Sequence, residues 1–178
     1  ILGGVRNDRR RDEAERICRY KSGKCTIERP LHLGAVMAAP ERQAELVPAL
    51  SGYGLPLGDA FQMRDDVMGA FGDETLTGKP VGGDLREGKP TPLLARAVEA
   101  ASAAQREVLD LVGRPGLGDD EVARIQQVIV DTGALADLEA TITRLTDEAL
   151  AAIEVAPILD TARDELVQLA HYVSWRQT

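Results

Sequence analysis

Leu55-Pro56-Leu57-Gly58-Asp59-Ala60-Phe61-Gln62-Met63-Arg64-Asp65-Asp66-Val67-Met68-Gly69-Ala70-Phe71 carries the most informative pattern in the chain. Leu57, Ala60, Phe61, Val67, Met68 and Phe71 recur at three and four residues, which builds one apolar helical stripe that only Arg64 interrupts. Gly58, Gln62, Asp65, Asp66 and Gly69 fall on the opposite side, a polar face flanked by small residues that a ligand can approach closely. Adjacent aspartates on a helix offer hard carboxylate oxygens to a divalent ion, and carboxylate with water and phosphate oxygen is the set that Mg²⁺ prefers. A dyad alone reads first as a solvated acidic pair on an exposed face.

The following segment gives the dyad its meaning. Gly72 to Pro92 holds five glycines and three prolines without periodicity, so it is expected to be a long, functional loop. Within it stand Gly78-Lys79-Pro80, Gly83-Asp84-Leu85 and Gly88-Lys89-Pro90-Thr91. Lysine is a compact positive charge suited to phosphate oxygens, and glycine lets the backbone approach them. Carboxylates for a metal followed by lysines for phosphate point to a metal-bridged diphosphate. Gly83 to Lys89 also fits the opening of a P-loop, but Pro90 stands where Ser or Thr should ligate Mg²⁺, and no β-strand pattern precedes it.

Elsewhere the spacing predicts helices. Ala14, Ile17 and Cys18 fit an amphipathic helix from Asp12 toward Lys24, with a break at Pro30. Leu31 to Ala39 and Glu41 to Tyr53 read as further helices, the second tolerating Pro48 or bent by it. Leu94, Ala97, Ala101, Ala104, Val108 and Leu111 form one stripe, and Gly113 to Gly118 a turn before an acidic helix start at Asp119 or Asp120. Val122, Ile125 and Ile129 pack a helix that Gly133 closes, and two more run from about Ala134 to Val155 and Ile158 to Trp175.

Composition agrees with an all-α fold: aromatic residues are 3% and Ala, Leu, Glu and Arg are plentiful, with no β-branched alternation. The 178 residues suffice for one domain with a core. A formal charge of −8 argues against nucleic acid and anionic membrane surfaces as partners. No apolar run is long enough for a membrane span and Ile1 to Arg11 lacks a signal-peptide core, so a cytoplasmic location is expected. Cys18 and Cys25 lack the further ligands of a zinc site and are expected to be buried and reduced.

Phe61-Gln62-Met63-Arg64-Asp65-Asp66 with Gly78-Lys79, Gly83-Asp84-Leu85 and Gly88-Lys89-Pro90-Thr91 closely resembles the second aspartate-rich region of trans-isoprenyl diphosphate synthases, the polyprenyl synthetase family. Tyr20-Lys21-Ser22 followed by Pro30-Leu31-His32-Leu33-Gly34-Ala35 is similar to that family's Lys-Thr segment and the kinked helix after it. The resemblance covers Ile17 to Leu94, and the remaining helices are compatible with it. It implies an all-α helical bundle of the isoprenoid synthase type, here residues 1–178 as the C-terminal part of a single synthase domain.

It also implies roles. Asp65 and Asp66 would ligate Mg²⁺ on an allylic diphosphate, with Phe61 and Gln62 beside them, and Lys21, Lys79 and Lys89 would contact the diphosphate or its metals. Ser22, where the family commonly has Thr, would face the carbocation or assist proton transfer; its other reading is a polar residue that bends a helix by bonding back to a carbonyl. The implied reaction is head-to-tail condensation of the allylic diphosphate with isopentenyl diphosphate in a homodimer.

Two departures stand out. Gly69 takes the place of the last aspartate of the family's Asp-Asp-x-x-Asp, with Asp73 one turn further on. The family's first aspartate-rich motif and its paired arginines have no counterpart, so the polypeptide as written is expected to be inactive and its activity to belong to a longer chain. The alternatives are a non-catalytic helical subunit that assists a catalytic partner and, less well matched by Lys79 and Lys89, a terpene cyclase relative.

Overall fold

The computed structural model describes residues 11–72 and 81–176; every regular element among them is helical. They gather into two compact units. One comprises Asp65–Ala140 with the described residues up to Arg16, the other Ile17–Arg64 with Thr141–Arg176.

α1 (Arg11–Cys18), whose last two residues belong to the second unit, continues without interruption into a π-helical segment, Arg19–Glu28, and then α2 (Arg29–Ala38). The expected break at Pro30 is absent. Pro30 sits in the first turn of α2, directly after the π segment, and the Arg29 N–H reaches back five residues to the Lys24 carbonyl. After a single 3₁₀ turn, Pro40–Arg42, the long helix α3 (Gln43–Phe71) begins.

α3 corrects the expectation of two helices, one ending at Tyr53 and one starting at Leu55. Pro48 and Pro56 both lie inside it. Continuity is enforced by burial: Leu50, Tyr53 and Leu57 pack with Ala149 and Ile153 of α8 (Ala134–Glu154) and Ala170 and Val173 of α9 (Asp160–Trp175). Each fully buried large side chain is worth about 1.5–3 kcal/mol, so a few together offset the roughly 3 kcal/mol of an interior proline. Tyr53 donates its hydroxyl to the Leu166 carbonyl at 2.7 Å, so its polar end is satisfied. Arg64, the break in the apolar stripe, is buried too, its Nε donating to the Ser174 carbonyl at 2.7 Å.

In the first unit the expected loop from Gly72 to Pro92 contains a short helix, α4 (Gly83–Glu87), closed at both ends by left-handed glycines, Gly82 and Gly88. The single stripe expected from Leu94 to Leu111 is divided into α5 (Pro92–Ala100) and α6 (Ala103–Leu109). Ser102 explains the division: its hydroxyl accepts the Gln105 N–H while the Gln105 side chain accepts the Ser102 N–H, a reciprocal cap that starts a helix afresh. Ala104 consequently faces solvent. α7 (Asp119–Asp131) begins at the expected aspartate, and Gly133 follows its end with φ +76°. Of the cysteines, Cys18 is buried as expected but Cys25 is exposed, because it lies on the outer side of the π segment.

Candidate diphosphate site

Asp65 and Asp66 lie on α3 and Lys89 on the turn between α4 and α5. The Lys89 ammonium stands 3.3 Å from Asp66 Oδ1 and 3.9 Å from Asp65 Oδ2, and donates to Asp84 Oδ2 at 2.8 Å. Asp66 is only 2% exposed, so its charge is taken out of water and held by this arrangement. Burial by itself would lower the pKa of Lys89; the charge of Asp66, the hydrogen bond donated to Asp84 and the charges of Asp84 and Asp65 outweigh it and hold the ammonium well above its ordinary range. Lys89 is therefore a cation at neutral pH.

The backbone that presents these groups is tightly made. Gly88, with φ +69°, lies against Gly113, with φ +81°, so closely that a Cβ on either would come within 2.9 Å of the other's Cα. The Gly113 N–H donates to the Leu85 carbonyl at 2.9 Å, and the Thr91 hydroxyl caps α5 by accepting from the Leu94 N–H at 3.2 Å. Arg86 fastens the other side through the Leu117 carbonyl and Asp119 Oδ1. Asp84 is thus held in the first turn of a five-residue helix and Lys89 in the turn that follows it.

Gly69 is equally constrained. A Cβ built there would lie within 2.9 Å of Asp84 Oδ1 and closer still to Oδ2, so the space beside α3 at this position is filled by the Asp84 carboxylate. Asp84 belonged to the glycine-rich motif but was not among the expected site residues; only the fold brings it to Lys89. Lys79 and Asp73 lie outside the described residues.

Lys21, Ser22, Phe61 and Gln62 belong to the other unit. Ser22 is buried and its hydroxyl donates to the Gln62 side-chain oxygen, while Lys21, next along the π segment, is exposed. The π segment meets α3 at glycines: a Cβ on Gly58 would come within 2.5 Å of the Gly23 Cα. Gly58 is therefore a contact between helices and not part of an open ligand face. Arg19 straddles the same crossing, its Nε and Nη2 both donating to Asp59 Oδ2, at 3.0 and 2.6 Å. Phe61 carries the Arg176 guanidinium 4.3 Å above its ring. Arg19, Asp59 and Arg176 bear no motif signature that would have marked them.

For a metal, the donor chemistry fits. Asp65 and Asp66 supply hard oxygens that already surround one cation, the Lys89 ammonium, although among the described residues no three His, Cys, Asp or Glu side chains form a complete cage. No helix among the described residues is long and apolar enough to cross a membrane.

Comparison with known proteins identifies the family of the chain. The family profile described as polyprenyl synthetase matches residues 5–130. A geranylfarnesyl diphosphate synthase from Aeropyrum pernix is 38% identical over 151 residues, which are 85% of this chain and 46% of the relative. A (2E,6E)-farnesyl diphosphate synthase from Mycobacterium tuberculosis is 34% identical over 149 residues, 82% of this chain and 41% of the relative.

Among solved structures, a geranylgeranyl pyrophosphate synthase from Corynebacterium glutamicum, complexed with isoprenyl diphosphate and magnesium, superimposes with a TM-score of 0.88 at 37% identity. That match covers 99% of this chain and 52% of the other. The chain spans about half the length of the relatives it matches. Its all-helical architecture is the isoprenoid synthase fold, and with the profile running through α3, the dyad and the Lys89 turn, the chain belongs to the polyprenyl synthetase family.

Proposed function

We propose that this chain supplies the allylic-diphosphate side of a trans-prenyltransferase, an isoprenyl diphosphate synthase that joins an allylic diphosphate head-to-tail to isopentenyl diphosphate. The reading rests on one observation: the Asp65 and Asp66 carboxylates and the Lys89 ammonium converge within 3.9 Å. A diphosphate needs opposite chemistry on its two sides, cations for its oxygens and carboxylates for the metal ions it brings, and this cluster offers both.

In the proposed reaction the allylic C–O bond breaks, its electron pair leaves with diphosphate, the isopentenyl double bond attacks the allylic cation, and a proton is lost. Mg²⁺, when bound, would neutralise the charge that develops on the leaving group. Asp65 and Asp66 would hold that ion, Lys89 and Lys79 the diphosphate oxygens, and Lys21 a further oxygen. Each lysine acts as a fixed charge aimed where negative charge grows. Ser22 and Gln62, bonded to one another, would stabilise the cation or pass on the proton, with Phe61 lining its path. The proposal includes assembly as a homodimer, which the family resemblance implies, and action in the cytoplasm.

The test is to incubate the full natural chain with isopentenyl diphosphate and an allylic diphosphate, with and without Mg²⁺, and to measure prenyl product. Mg²⁺-dependent elongation is expected. Elongation of the same extent in a metal chelator, or none with any allylic primer, overturns the reading.

A further inference from the structure

Glycine inside a helix costs about 1 kcal/mol relative to alanine, so one kept in α3 beside an aspartate pair calls for a reason in its surroundings. At Gly69 that reason is specific. The three atoms nearest to a Cβ there belong to one side chain, the Asp84 carboxylate. Asp84 accepts the Lys89 ammonium at 2.8 Å, closer than either Asp66 or Asp65 comes to it.

We propose that Gly69 is a seat for the Asp84 carboxylate, and that Asp84, seated there, is a positioning residue that fixes the Lys89 ammonium beside Asp65 and Asp66. The missing side chain at 69 is then part of the site. Any side chain there would push Asp84 out and release Lys89 from its nearest partner. Positions 69 and 84 therefore act as a single unit: substituting either disturbs Lys89, and substituting both disturbs it no further. This deepens the diphosphate-binding reading given above and rests on it for its functional meaning, although the coupling itself can be read without any ligand.

Two readouts on the full chain separate the cases. The first is the rate at which Lys89 is acylated by a lysine-directed reagent at fixed pH, followed by mass spectrometry. An amine released from the carboxylate that holds it is more open to the reagent, so the rate reports the Asp84 contact. Asp84→Asn and Gly69→Ala should each speed acylation of Lys89 severalfold, and the double variant Gly69→Ala/Asp84→Asn no more than the faster single, with exposed Lys21 unchanged as internal control.

The second readout is calorimetric titration with inorganic diphosphate in Mg²⁺, which should weaken in the same non-additive pattern. Native reactivity of Lys89 in Gly69→Ala, or strictly multiplicative effects in the double variant, overturns the coupling. Diphosphate that fails to bind the native chain, with the acylation pattern as expected, overturns the functional reading and leaves the coupling standing. Should Gly69→Ala fold poorly, Gly69→Ala/Asp84→Gly, which removes the obstructing carboxylate, must melt no lower than Asp84→Gly alone; a lower melting temperature also overturns the seat.

Discussion

Lys89 is bonded to Asp84 twice, its backbone N–H donating to the Asp84 carbonyl at 3.0 Å and its ammonium to the Asp84 carboxylate at 2.8 Å. The backbone bond makes the turn and the side-chain bond aims the charge. A lysine that would otherwise sample many rotamers is thereby committed to one direction, toward Asp65 and Asp66, and less of its conformational entropy remains to be lost when a ligand arrives.

Replacing Asp65 by Ala should lower turnover of the full chain roughly 10²–10³-fold, the scale of losing a group that acts on developing charge. Circular dichroism should remain native, because Asp65 is partly exposed and on a helix that alanine favours. Native turnover in this variant would remove the metal-ligand role.

Lys89→Gln should destabilise the chain by about 1–3 kcal/mol, since it leaves the buried Asp66 carboxylate without its ammonium. Mg²⁺ should then raise the melting temperature of the variant more than that of the native protein, the metal standing in for the lost charge. Equal Mg²⁺ responses in the two would argue against a shared cation position.

Alkaline pH provides a separate test. Burial pushes the Tyr53 phenol well above its ordinary pKa of 10.0. A group whose pKa is raised on folding contributes its full stability below its unfolded pKa and loses it as pH climbs toward the folded value. Native stability should accordingly decline above pH 10. Tyr53→Phe should cost about 1 kcal/mol at neutral pH, through loss of the bond to Leu166, yet show a shallower decline above that point. Lys89 titrates with the same sign, so the Tyr53 contribution is the difference between native and variant urea-unfolding curves across the pH series.

Two glycine substitutions of identical chemistry should have opposite signs. Gly58→Ala drives a methyl into the backbone at Gly23 and should cost about 1–3 kcal/mol. Gly34→Ala, in α2 with nothing within 4 Å, should gain about 0.4–1 kcal/mol. Thermal melts of both report on whether the helices cross as closely as described.

The helical class, the later helices and the Asp65-Asp66-Lys89 grouping were legible in the sequence, because three- and four-residue periodicity, caps and charge type are local properties. The continuity of α3 was not. Pro48 and Pro56 argue locally for a break, and only the burial of Leu50, Tyr53 and Leu57 overrides them. Ser102 carried a readable cap signal with Gln105 that the longer alanine stripe concealed. Asp84 could not be assigned from sequence because its role depends on empty space fifteen residues earlier, at Gly69. Gly58 misled for the converse reason: small residues suit both a ligand and a second helix, and here the second helix takes the place.

The π segment Arg19–Glu28 also sets an angle. Its bonds reach five residues back, so it accommodates more chain per turn than the α-helices before and after it. Each residue of an α-helix advances about 100° around the axis, so deleting one residue between Cys18 and Ser22 would swing Ser22 about that far from Gln62. The hydroxyl's bearing is thus written in the length of the main chain, and a shortened segment would misdirect it with the serine itself still in place.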